Sequence, residues 1–103
     1  MIVLMDDETA ELSRILAGGL LYPVFQPIVD LRMRSILGYE ALIRGPEESE
    51  LHRPDGLFAA ARKAGRSLEL EHACREASLR AFAGLAMAGR LFINVTPGCL
   101  LDH

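Results

Sequence analysis

Tyr22-Pro23-Val24-Phe25-Gln26-Pro27-Ile28-Val29 and Ser35-Ile36-Leu37-Gly38-Tyr39-Glu40-Ala41-Leu42-Ile43-Arg44 flank the polar run Asp30-Leu31-Arg32-Met33-Arg34, and this stretch decides the fold. Both arms are rich in β-branched and aromatic residues, and a charged run between two such arms reads as a β-hairpin. Side chains alternate faces along a strand. In the second arm Leu37, Tyr39, Ala41 and Ile43 share an apolar face, while Gly38, Glu40, Leu42 and Arg44 share the other. An acid and an arginine on one face are unusual for a plain core strand. Their Cα atoms lie about 13 Å apart, too far to make them simply each other's ion-pair partner.

Working outward, a helix is expected from Asp7 to Ala17. Asp6 or Asp7 caps it, Leu12, Ile15, Leu16 and Leu20 form one face, and Gly18-Gly19 ends it. After the hairpin comes a polar loop over 47–53, then a short helix opened by Pro54-Asp55 and closed by Gly65. Ser67 is expected to cap a longer helix reaching Ala88, with Leu70, Cys74, Ala77, Ala81, Leu85 and Ala88 as its buried stripe. Gly89-Arg90 leads into a strand over 91–96, closed by Pro97-Gly98. The order is helix, hairpin, helix, helix, strand. A strand reached through helices runs parallel to the one before it, so the fold class is α/β, a sheet or barrel. Ligands of such folds gather at the C-terminal strand ends.

The 103 residues carry a net charge of −3. Residues 1–50 hold nine Asp/Glu against four Arg, and residues 51–103 hold five against seven Arg/Lys. An acidic chain without a basic face does not suit DNA or RNA duplexes. A phosphate ligand would need a metal ion or a few placed arginines. Cys74 and Cys99 have no metal-ligand spacing and read as reduced thiols of a cytoplasmic protein. His52, His72 and His103 form no ligand pair and read as surface or helix residues. No membrane segment is present: the apolar residues 1–5 are too few and are followed at once by Asp6-Asp7-Glu8.

Three strands each offer a polar side chain where an apolar one would be safer: Gln26, Glu40 with Arg44, and Asn94. Pairing the hairpin symmetrically about Met33 sets Gln26 opposite Glu40, although a one-residue slip would turn the whole face over. Each residue alone is commonplace, as a strand-edge amide or a solvated acid. Together near strand ends they resemble the start of a site for a hard cation, because Mg²⁺, Mn²⁺ and Ca²⁺ prefer carboxylate and amide oxygens. Arg44 adds a planar fork suited to phosphate.

Three motifs then resemble one family. Phe25-Gln26-Pro27-Ile28-Val29-Asp30 resembles the QPIV segment of EAL domains. Gly38-Tyr39-Glu40-Ala41-Leu42-Ile43-Arg44 resembles their E-A-L-x-R motif. Phe92-Ile93-Asn94-Val95-Thr96-Pro97 resembles their N-V-S/T-P strand. The resemblance runs from about residue 10 to residue 103, leaving 1–9 as a linker or extension. It implies the N-terminal portion of a modified (β/α)₈ barrel whose first strand is antiparallel to the others. It also implies bacterial signalling chemistry: metal-dependent hydrolysis of cyclic di-GMP to the linear dinucleotide, with Mg²⁺ or Mn²⁺. Carried over residue by residue, Glu40 and Asn94 match metal ligands, and Gln26, Leu42 and Arg44 match ligand contacts, Arg44 at a phosphate.

EAL domains run to more than twice this length. Their further acidic ligands, paired aspartates and catalytic lysine follow later strands, so these 103 residues hold no complete catalytic set. Gly45 also stands where an aromatic residue is common. The chain by itself is therefore expected to be inactive and to self-associate through an exposed strand edge. The Leu91, Ile93 and Val95 face and the hairpin's apolar face are expected to lack part of their cover. The alternative is a non-catalytic EAL remnant that binds nucleotide or protein.

Overall fold

A computed structural model describes residues 6–85 and 89–93. Helix α1 spans Asp7–Gly18. The Asp6 carboxylate accepts the Thr9 amide at 2.7 Å, satisfying one of the donors that a helix start leaves open. Gly19 takes the left-handed conformation (φ +60°), and the Gly19 and Leu20 amides close back on the carbonyls of Leu16 and Ile15.

Strands β1 (Tyr22–Asp30) and β2 (Ser35–Arg44) form the expected antiparallel hairpin. Gln26 sits opposite Glu40, as symmetry about Met33 requires. Nearer the turn the register shifts by one, with Ile28 against Gly38 and Val29 against Ile36, so Leu37 is the extra residue of a β-bulge. The Asp30 carboxylate accepts the amides of Arg32 and Met33, and Arg34 carries a positive φ of 50° to finish the turn.

Helices α2 (Pro54–Lys63) and α3 (Ser67–Leu85) follow. Pro54 enters at the first helical position, where its missing N–H costs nothing. Gly65 (φ +69°) turns the chain out of α2, and Arg66 then bonds both the Ser13 hydroxyl and the Glu69 carboxylate. Ser67 is the first residue of α3 rather than its cap. Strand β3 (Arg90–Phe92) runs parallel to β2, giving the sheet order β1-β2-β3. Expectations for Ala88 in the helical stripe and for residues 94–96 in the strand fall outside the described residues.

The core joins Leu12 and Ile15 of α1, Leu57, Ala60 and Ala61 of α2 and Leu70 of α3 to Leu21, Ile43 and Leu51. Leu51 corrects the reading of 47–53 as simply polar, because its side chain is buried. The α3 stripe also differs from expectation. Ser78 is buried and Leu85 is 59% exposed, so the contact face has rotated toward Phe82. The Phe82 ring meets Phe25 edge-on at 5.8 Å and Tyr39 at 6.2 Å. At 3.6 residues per turn Ser78 and Phe82 lie about 80° and about 120° round the helix from Leu70, so the contact face extends to one side of the expected stripe.

The helices cover most, not all, of the hairpin's apolar face. Ala41 and Ile43 are buried and Tyr39 is half-buried beneath the helices. Leu37 alone of that face is largely exposed, beyond the helix layer at the bulge. Leu91 and Ile93 are half-buried. The open side is the opposite one, where Val24 is 45% and Phe92 38% exposed.

Candidate ligand-binding site

Strand alternation and register assemble the site. Gln26 on β1 faces Glu40 on β2, and Glu40 in turn pairs with Phe92 on β3. Directly opposed residues have Cα atoms about 4.5–5.5 Å apart, so the Gln26 amide and the Glu40 carboxylate are close neighbours on the face turned away from the helices. Glu40 is half-buried and Gln26 exposed. Gly38 makes this packing possible. A Cβ there would lie 2.5 Å from the Arg90 carbonyl oxygen and 2.6 Å from the Phe92 ring, so only glycine lets β3 draw in beside Glu40.

Arg44 lies on the same face at the C-terminal end of β2, half-buried, and one guanidinium nitrogen donates to the Ile43 carbonyl at 2.9 Å. Among the described residues no carboxylate pairs with it. Its remaining donors are available to a ligand. Leu42 and Arg44 also line a cavity of about 240 Å³ reaching toward Phe58, Cys74 and Ser78. Burial, together with the nearby Glu71 carboxylate, pushes the Cys74 thiol up to about 12, which favours the protonated form.

The loop after β2 is braced on both sides. The Gly45 amide donates to the His52 carbonyl at 3.0 Å, and His52 Nδ1 donates back to the Gly45 carbonyl at 2.8 Å. The His52 ring also lies beside Tyr22, with centroids 6.3 Å apart. A Cβ on Gly45 would collide with the Leu51 carbonyl, which is why an aromatic residue has no place there. The Ser49 hydroxyl donates to Glu11 at 2.5 Å, tying the loop to α1. The Arg14 guanidinium and the Ser49 hydroxyl hold the Glu11 carboxyl down at about 2. The closed loop sets Arg53 and Asp55 beside Arg44 and His52 around a hollow of about 590 Å³. The sequence reading passed over these residues. The only signal was an Arg-Pro-Asp helix start nine residues beyond Arg44.

The structure therefore brings Gln26, Glu40, Leu42 and Arg44 onto one sheet face, while Asn94 lies outside the described residues. Among the described residues no three His, Cys, Asp or Glu side chains converge as a metal group would require. Glu40 suits a Mg²⁺ or Mn²⁺ ion in donor chemistry, as one hard carboxylate with an amide oxygen opposite.

Comparison with known proteins agrees with this arrangement. The EAL domain family profile matches residues 9–103. The fold is similar to the Xanthomonas citri FimX EAL domain solved with c-diGMP, at TM-score 0.73 and 18% identity over 89% of this chain. It is also similar to another FimX EAL domain structure, at TM-score 0.59 and 25% identity over 96% of this chain. The chain spans 37% and 44% of those two chains, so its sheet and helices correspond to a portion of the TIM-barrel-like EAL fold. No curated protein matches the sequence significantly. With the profile covering nearly its whole length, and with the hairpin, the parallel strand and Gln26, Glu40 and Arg44 placed as described, this chain belongs to the EAL domain family.

Proposed function

We propose that this chain supplies part of a cyclic di-GMP phosphodiesterase site, with Arg44 holding a phosphate and Glu40 contributing a metal ligand. The reading is supported most by one observation. Gln26 and Glu40 face each other on the open side of the sheet, and Arg44, which no carboxylate among the described residues pairs with, ends the same strand. Acid, amide and guanidinium are the groups needed to fix a metal-bound phosphodiester.

When bound, Mg²⁺ or Mn²⁺ supplies an activated water and neutralises phosphate charge. The chain's own residues do the rest. Arg44 donates to non-bridging phosphate oxygens from a strand end kept rigid by its bond to the Ile43 carbonyl. Gln26 orients the ligand beside Glu40, and Leu42, on the same face, gives it an apolar wall next to Arg44. Asn94 joins Glu40 as a second metal ligand in this reading. The remaining acids and the base of this reading are not supplied by these 103 residues. The site works in the cytoplasm, and among the described residues no helix is long and apolar enough to cross a membrane.

Calorimetric titration of cyclic di-GMP into a whole EAL domain that contains these residues tests the Arg44 role. Arg44→Ala should weaken binding by about 2–3 kcal/mol, the scale of a charge-assisted hydrogen bond. An unchanged affinity would show that Arg44 only braces the end of β2.

A further inference from the structure

Arg53 and Asp55 border the same hollow as Arg44, one residue apart across Pro54. Among the described residues neither forms an ion pair, with the other or with any third group, although Asp55 also lies in the first turn of α2 where a negative charge suits the helix dipole. Arg53 precedes the first turn of α2 without lending its side chain to the helix end. The backbone beneath the pair is stiff. Pro54 fixes its own φ, and the reciprocal Gly45–His52 bonds close the preceding loop. Both side chains are exposed at the rim of the hollow, beside Arg44, and so are open to a ligand.

We propose that Arg53 and Asp55 read the guanine base of the cyclic dinucleotide whose phosphate Arg44 holds, an inference that rests on the function proposed above. Guanine offers the acceptors O6 and N7 along one edge, which match the guanidinium fork of Arg53. Its adjacent edge carries the N1–H and N2–H donors, which suit the Asp55 carboxylate. Adenine presents the wrong set, with an amino group where Arg53 needs an acceptor and a bare N1 lone pair against the Asp55 carboxylate. Rejection of adenine thus follows from unpaired polar groups as much as from lost contacts.

The test titrates cyclic di-GMP and cyclic di-AMP into a whole EAL domain that contains these residues, as wild type, Arg53→Ala, Arg53→Lys and Asp55→Asn. Thermal melts confirm that each variant is folded. The wild type should prefer the guanine ligand, and each variant should lose roughly tenfold or more of that preference, the scale of one bidentate base contact. Arg53→Lys keeps the charge without the fork, so it should lose selectivity while retaining salt-sensitive affinity. An unchanged ratio of affinities in folded variants would overturn this inference alone. Failure of the wild type to bind either dinucleotide would instead overturn the function proposed above, and this inference with it.

Discussion

Gly38 controls how closely β3 approaches Glu40. Its missing side chain leaves room for the Arg90 carbonyl and the Phe92 ring, both of which a methyl group would meet inside van der Waals distance. Gly38→Ala should destabilise the fold by about 1–3 kcal/mol through forced strand displacement, measured by urea unfolding. A neutral outcome would mean that β3 does not pack as described. The Gln26–Glu40 pairing was legible in the sequence because seven residues separate each from Met33, and the long turn tolerated a bulge without disturbing register beyond Gly38. Leu37, Leu51 and Phe82 were not legible in the same way. Whether an apolar residue is buried depends on where the covering helix ends and how far it rotates, which local periodicity does not specify.

At the scale of elements, the loop from Gly45 to His52 joins α1 to the ligand end of β2 through Glu11 and Ser49. The Glu11 carboxyl is depressed from 4.5 to about 2 by the Arg14 guanidinium and the Ser49 hydroxyl. A carboxylate with a lowered folded value stabilises the protein above its ordinary value and loses that contribution as pH falls through the lowered one. Denaturation midpoints should therefore fall as pH drops from 4.5 toward 2, and Glu11→Gln should show a shallower fall over that window. Parallel curves for the two proteins would remove Glu11 from the account. Helix positions and the parallel strand were legible from caps and order, since Asp6, Gly19, Pro54 and Gly65 each act through local geometry. The Arg53–Asp55 pocket was not, because it exists only once Gly45 and His52 close the loop.

For the whole molecule, the described sheet has two edges and one open face. Pro23 and Pro27 remove donors from β1 and discourage pairing on its side. β3 carries no such guard, and Val24 and Phe92 stand exposed on the face away from the helices. The isolated 103-residue polypeptide is expected to self-associate in sedimentation experiments and to leave cyclic di-GMP intact with Mg²⁺ or Mn²⁺ added, since a pair of catalytic ions needs several hard oxygens in fixed geometry. A monomer that turned the dinucleotide over would contradict both expectations. Of the expected site, the sequence located Gln26, Glu40, Leu42 and Arg44 on one face because alternation along a strand is strict. Whether this face carries the chemistry is read most directly from hydrolysis of cyclic di-GMP by a whole EAL domain that contains these residues, wild type against Glu40→Ala. The wild type should turn the dinucleotide over and Glu40→Ala should lose that turnover with an unchanged unfolding midpoint; near-normal turnover by Glu40→Ala would mean that the chemistry lies elsewhere.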